Sequence, residues 1–185
     1  MLYYKLGDDM AQNVSNNRTA RNKFTRMCIG EAIVSLMKNK EYEKIKVSEI
    51  VEEAAVSRMT YYHYYETKLD AINDYFHEII DMYMDKCVSK GLVGKFHCYE
   101  NIRFALEFFD DYAGFFSTLN GNGLYSVLIE GMNKYMVEHF SHMYADNESE
   151  LYYYAGGLLN VFIKWQENGK KQTADEIAHI IEKMW

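Results

Sequence analysis

The stretch from Ser48 to Lys68, SEIVEEAAVSRMTYYHYYETK, decides the fold. Its first part carries apolar residues at helical spacing, and its last part is crowded with four tyrosines, an arginine and a histidine. A tight turn at Ala55, Val56 and Ser57 separates the two parts. Two short helices joined by a turn of about three or four residues form a helix-turn-helix. The stretch therefore predicts this motif.

The remainder of the chain is also helical in pattern. Apolar residues recur at three- and four-residue steps, few segments alternate as strands do, and the 185 residues include no proline. The sequence predicts an all-α fold of about nine helices, with a three-helix head and a larger helical body. Gly7 and several Asp and Asn residues disfavour a stable helix at the start. We expect a flexible arm over 1–17, the helix-turn-helix domain over 18–66 and the helical body over 67–185.

Hydroxyl side chains mark the predicted starts of three helices. Ser48 is expected to cap the second helix, Ser57 the third and Thr67 the fourth, since each can accept a hydrogen bond from a backbone N–H that lacks a helical partner. Asp70 favours the positive end of the fourth helix.

The net charge of −7 is unevenly distributed. Residues 1–70 hold 11 Lys and Arg against 10 Asp and Glu, whereas residues 71–185 hold 9 against 17. A basic cluster without an acidic residue consists of Arg18, Arg21, Lys23 and Arg26. Because a polyanion responds to local positive charge rather than to the sum, this distribution favours a DNA-binding head on an acidic body.

Several classes of protein are disfavoured. No apolar run approaches the roughly 18 residues that span a bilayer, and no secretory signal is visible at the start, so we expect no membrane partner. Cys28, Cys87 and Cys98 have no pairable spacing and indicate free thiols in a reducing cytoplasm.

Catalytic and metal-binding patterns are also missing. The sequence holds no nucleophile elbow, phosphate loop or HExxH motif, so we expect no enzyme and no cofactor. Glu138, His139 and His142 lie close together in sequence, but metal sites need three or four converging ligands. We therefore expect no metal site.

The third helix carries side chains that suit a DNA groove. Base edges accept hydrogen bonds and present thymine methyl groups, while phosphates accept hydrogen bonds from hydroxyl and amine groups. The expected base contacts are Arg58, Thr60, Tyr61 and His63. The expected phosphate contacts are Ser48, Ser57, Tyr62 and Lys68, with Arg18 and Arg21 placed to reach a groove or phosphates.

Each of these residues also has a purely structural explanation. Tyrosines at helical spacing commonly pack in cores, Arg58 and Lys68 can be solvated charges, and a hydroxyl residue caps a helix with no DNA present. The spacing of the whole set favours the DNA-binding interpretation.

The motif resembles the head of TetR family transcriptional regulators, most closely over residues 45–72. That family's pattern has an apolar helix start, an Ile-x-x-x-Ala core, a Gly-Val-Ser turn, Thr-x-Tyr-x-x-Phe and a lysine that opens the next helix. The matching residues here are Val47, Ile50, Ala54, Ala55-Val56-Ser57, Thr60, Tyr62, Tyr65 and Lys68. Ala55 replaces the usual glycine, Tyr65 the phenylalanine and Tyr64 a common histidine. In relatives, the positions of Tyr62 and Lys68 grip the DNA backbone.

The resemblance implies that residues 67–185 form a regulatory and dimerisation domain. Its last helices would form a homodimer, and the candidate interface residues are Ala155, Gly156, Leu159, Phe162, Ile163, Ile177, Ile180, Ile181 and Met184. A small molecule would bind among aromatic and apolar residues, although such stripes are more often plain core. These pocket candidates are Phe104, Phe108, Tyr112, Tyr125, Leu128, Met132 and Phe162.

The sequence thus predicts a TetR-like regulator that acts as a cytoplasmic homodimer on a double-stranded DNA operator. An unidentified small-molecule effector would modulate its operator affinity, and repression is the expected outcome. The alternative is a helical adaptor that binds a partner protein and whose head no longer binds DNA.

Overall fold

The computed structural model describes the backbone of residues 2–143 and 148–184, and side chains within these ranges from residue 20 onward. Regular structure in these ranges is entirely helical, which confirms the predicted all-α class. Two 3₁₀ turns, Tyr42–Lys44 and Ser141–Met143, accompany the helices. The helices are α1 (Leu2–Met37), α2 (Val47–Glu53), α3 (Arg58–Tyr64), α4 (Lys68–Lys90), α5 (Tyr99–Asp110), α6 (Ala113–Gly121), α7 (Tyr125–Phe140), α8 (Ser149–Glu167) and α9 (Ala174–Glu182).

The chain divides into two compact units, Met1–Tyr75 and Phe76–Trp185. The division falls within α4 rather than before it, because the first turns of α4 pack on the helices that precede them. Ala71, Ile72 and Tyr75 are all buried. No helix of the described ranges has the length and apolar character needed to cross a bilayer.

The first unit is built around α1, α2, α3 and the start of α4. Its fully buried side chains include Ile29, Ile33, Ile50, Tyr61 and Ile72. Gly30 lets α1 approach α4 closely, since a Cβ at this position would lie 2.3 Å from the Cβ of Tyr75.

The second unit packs α5 on α9 and α7 on α8. The later turns of α4 contribute Phe76 to an aromatic core, where its ring centroid lies 5.7 Å from that of Phe116. Asn101 is buried among hydrogen bonds: its Oδ1 accepts from the hydroxyls of Tyr83 and Tyr154, and its Nδ2 donates to the carbonyl of Leu92. This unit is therefore held by packed rings around a satisfied polar centre.

Two helix starts differ from the sequence-based expectation. The α1 backbone is helical from Leu2, where the sequence predicts a non-helical arm over 1–17. Glycine and asparagine lower helix propensity without removing a backbone donor as proline does, and the segment has no proline. Ser48 does not cap α2, because the helix begins at Val47 with Lys46 as its N-cap, two residues earlier than expected, and Glu49 accepts the backbone N–H of Lys46 at 3.0 Å.

The other two predicted caps are confirmed. The Ser57 hydroxyl accepts the backbone N–H of Thr60 at 2.9 Å. Thr67 and Asp70 form a reciprocal pair, in which each side chain accepts the other residue's backbone N–H at 3.1 and 2.8 Å. Both caps satisfy donors at the helix starts on either side of Tyr65.

The turn between α2 and α3 is a Schellman motif built without glycine. Val56 N–H donates to the carbonyl of Val51 at 2.9 Å, and Ala55 N–H donates to that of Glu52 at 3.2 Å. Ala55 adopts a φ of +52°, in the left-handed region that costs an L-residue about 1–2 kcal/mol. The alanine at this position therefore holds a strained backbone conformation.

We predict that Ala55→Gly raises the free energy of unfolding of the first unit by about 1 kcal/mol, because glycine relieves this strain. Ala54→Gly is the matched control. Ala54 has a φ of −78°, so glycine there should lower stability by about 0.5–1 kcal/mol. Urea unfolding followed by circular dichroism measures both changes. Equal effects of the two variants would contradict the strain at Ala55.

Candidate nucleic-acid interface

The rotation of α3 about its axis is set by two inward tyrosines. Tyr61 is 0% exposed and Tyr65 is also buried, and their ring centroids lie 5.9 Å apart. The Tyr65 hydroxyl donates to the carboxylate of Asp74. Tyr61 lies within α3 and Tyr65 is the extended residue that follows it, so the face of α3 opposite Tyr61 points to solvent.

Tyr61 is therefore a core residue, and its predicted base contact is wrong. Its ring fills the first unit's core, and its hydroxyl has no hydrogen-bond partner among the described residues. Burial raises the pKa of this hydroxyl to about 12. Residues 61–65 include four tyrosines, so the sequence alone does not show which ring faces the core.

The exposed edge of α3 carries Arg58, Met59, Tyr62 and His63. Met59 is 83% exposed and Tyr62 is 60% exposed. Met59 is not among the residues predicted to contact DNA, although it lies two residues before the buried Tyr61 and four before His63. Three of the predicted contact residues, Arg58, Tyr62 and His63, do share this edge.

The hydroxyls of Ser57 and Thr60 are bonded to each other. Their Oγ and Oγ1 atoms lie 2.8 Å apart, and the Thr60 backbone also donates to Ser57. Both hydroxyls are thus already hydrogen-bonded at the N-terminal cap of α3. Ser48 is half-buried within α2, where it neither caps the helix nor lies on the α3 edge.

Lys68 is engaged by its own chain. Its Nζ donates to the carbonyls of Tyr42 at 2.7 Å and Ile45 at 3.0 Å, and lies 4.4 Å from the centroid of the Tyr42 ring. Tyr42 begins the first 3₁₀ turn and Ile45 follows its last residue, so Lys68 bridges the two ends of this turn. Two of the three ammonium N–H groups are thus used within the fold, leaving one for a phosphate.

Two further basic residues of the first unit are paired with acids. Arg26 lies 3.3 Å from Asp74, and Lys40 lies 2.7 Å from Glu49. The hydrogen bond from Lys40 holds the pKa of Glu49 below its usual value. Arg21 is exposed with no ion pair among the described residues, as is Arg58. Arg18 lies in α1, but its side chain falls outside the part that the structure describes.

The residues predicted to line a ligand pocket are packed together instead. Phe108, Leu128, Met132 and Phe162 are buried, and Phe104 stacks on Tyr83 at 5.5 Å between ring centroids. Tyr112 and Tyr125 are half-buried. None of the seven lines a cavity described in the second unit. The alternative reading of this stripe as plain core is the one the structure supports, because neighbouring rings occupy the space.

Most of the predicted dimer residues are also core. Five of them are buried within the second unit: Ala155, Leu159, Phe162, Ile163 and Ile177. A stripe of apolar residues on a helix shows which face is covered, but not by which chain, and here α7 and α5 provide the cover. Gly156 and Ile181 are half-buried, while Ile180 and Met184 are 53% and 67% exposed.

The outward faces of α8 and α9 border two shallow grooves. The first, of about 200 Å³, is lined chiefly by apolar groups such as Tyr153, Gly157 and Met184. The second, of about 540 Å³, shares Val161 and Met184 with the first and is also lined by Ile180. A Cβ built on Gly157 would meet nothing within 4 Å, so space is open above α8.

Comparison with protein-family models found no match, and comparison with curated proteins found no significant match. The functional interpretation therefore rests on the residues and the geometry described above.

We predict that Tyr61→Phe raises the free energy of unfolding by about 1 kcal/mol, because it removes a buried hydroxyl without a partner. Tyr65→Phe is the matched control. It removes a donor to Asp74 and should lower stability by about 1 kcal/mol. Chemical unfolding of both variants checks the signs, and a loss of stability in Tyr61→Phe would mean that its hydroxyl is bonded.

Proposed function

We propose that the chain is a TetR-like transcriptional regulator that binds double-stranded DNA as a homodimer. The observation that carries this proposal is the exposed edge of α3. Arg58, Tyr62 and His63 offer donors on one side of a short helix whose other side is anchored in the core. The second helix of a helix-turn-helix uses such an edge in the major groove.

The caps and the turn support the same proposal. Ser57 and the Schellman motif hold α3 at a defined angle to α2, and Tyr61 prevents it from rotating. A rigid, exposed helix costs little ordering free energy when it enters a groove.

The homodimer is proposed through the outward faces of α8 and α9. Tyr153, Gly157 and Val161 follow one another at four-residue steps on α8, while Ile180 lies on α9 and Met184 in the turn that follows it. Neighbouring exposed apolar groups of this kind mark an association surface. A second copy is the partner that fits, because two recognition helices must engage two half-sites about one DNA turn apart.

The remaining parts of the proposal come from the resemblance and the composition. The regulator is cytoplasmic, has no enzymatic activity and acts as a repressor. Its small-molecule effector binds in the second unit, away from the seven packed residues first expected to hold it. An effector shifts operator affinity only by favouring one arrangement of the recognition helices over another.

We predict selective, salt-dependent binding to duplexes that the full chain selects from a random double-stranded library. If Arg21 and Arg58 of each copy neutralise one phosphate each, the logarithm of the affinity falls with a slope of about −3.6 against the logarithm of salt concentration. Tyr62→Phe should weaken binding about 3- to 10-fold across sequences, because it removes one phosphate donor. Fluorescence anisotropy at fixed salt measures each affinity.

Tyr64→Phe is the control for this experiment. The Tyr64 hydroxyl donates to Asn22 at 3.1 Å within the first unit, so its removal should leave DNA affinity unchanged. A chain that binds no duplex in preference to random DNA, even at low salt, would be an adaptor rather than a regulator.

We predict that Ile180→Glu converts the dimer to monomers in sedimentation experiments, since it places a charge in the α8–α9 surface. Val88→Glu is the control, because Val88 is 67% exposed on α4 of the same unit. That variant should stay dimeric. A dimer that persists in Ile180→Glu would place the interface on another face.

A further inference from the structure

The outermost side chains of α3 can be located from its two buried rings. Successive residues turn by about 100° around a helix, so the direction opposite Tyr61 falls between Met59 and His63, which lie two residues before and after it. Met59 and His63 are both exposed, in agreement with this geometry. Met59 has the largest exposed fraction, 83%, of the exposed apolar side chains described in the chain.

Met59 has a restricted chemistry for reading DNA. Its thioether carries no donor and is only a weak acceptor, so it cannot form the paired hydrogen bonds that identify guanine or adenine. The apolar group that a base pair presents in the major groove is the C5 methyl of thymine. A flexible, polarisable methionine packs well against such a group.

Two residues of α3 that were expected to contact bases, Thr60 and Tyr61, are less well placed to contact a thymine methyl. Tyr61 is buried, and the Thr60 side chain is only partly exposed, with its hydroxyl 2.8 Å from that of Ser57. Tyr62 lies beside Met59 on the exposed edge and extends the apolar surface. The edge of α3 thus combines a thioether and a ring with donors at Arg58 and His63.

We propose that Met59 determines operator specificity by contacting the C5 methyl of a thymine in each half-site. This inference rests on the proposed function, since it assumes that α3 enters a major groove. It adds the identity of one base and the residue that reads it. Loss of one such methyl contact should weaken binding about 3- to 5-fold in each half-site.

The experiment uses duplexes selected from a random double-stranded library by the full chain. In the best duplex, each symmetric pair of thymines is replaced by deoxyuridine, which removes the C5 methyl and leaves base pairing intact. One pair should weaken binding about tenfold at fixed salt, combining both half-sites. Met59→Ala should lose about the same affinity on the thymine duplex and show no further loss on the deoxyuridine duplex.

Two further variants make the result specific. Met59→Leu keeps an apolar side chain and should retain the preference for thymine over deoxyuridine. Leu69→Ala, at an exposed position on α4, should behave as the unaltered chain does. Circular dichroism confirms that each variant is folded, as expected for exposed positions.

The outcomes separate this inference from the proposed function. Suppose that the chain selects duplexes, but Met59→Ala still loses affinity when thymine is replaced by deoxyuridine, or no thymine replacement weakens binding. Met59 then does not read a methyl group, and the regulator proposal stands. If no duplex is preferred to random DNA, both proposals fail together. If Met59→Ala and the deoxyuridine replacement each weaken binding and cause no further loss when combined, the result supports both the regulator proposal and the role of Met59.

Discussion

The burial of Tyr61 and Tyr65 is the constraint on which the functional surface depends. A helix of seven residues has little stability of its own, so α3 takes its orientation from the side that is packed. Two large rings on one side leave a single rotation open to the helix. The exposed edge, including Met59 and Tyr62, is a consequence of that choice rather than a separate feature.

The turn between α2 and α3 also constrains the position of α3, and its backbone is strained. Ala55 holds a left-handed conformation because the Schellman hydrogen bonds and the Ser57 cap fix the chain on both sides. Strain of this kind persists where the surroundings over-determine the backbone. In the same region, the buried hydroxyl of Tyr61 has no hydrogen-bond partner among the described residues. The strained backbone at Ala55 and the unbonded hydroxyl of Tyr61 both lower the stability of the first unit. The turn and the buried ring that carry them hold α3 in one position.

The sequence predicted what local chemistry determines and missed what packing determines. The helical class and the caps at Ser57 and Thr67 follow from spacing and from hydroxyl groups near helix starts. The inward ring of α3 did not follow, because four tyrosines gave no contrast between its faces. Likewise Leu159 and Ile180 are both apolar, yet one is buried within its unit and the other exposed. Periodicity cannot tell which chain covers a face.

The basic residues of the first unit explain why an apolar edge matters for the proposed DNA binding. Lys68 is bonded to two carbonyls, and Arg26 and Lys40 are paired with carboxylates. Three cations of the first unit are therefore already engaged within the fold, which reduces the electrostatic attraction that the proposed binding would offer to every duplex alike. A regulator of this kind must gain affinity from contacts that only certain sequences offer, and from two copies binding together. In the proposed regulator, a smaller attraction to random DNA would raise selectivity, because the competing sites of a genome would be bound less well.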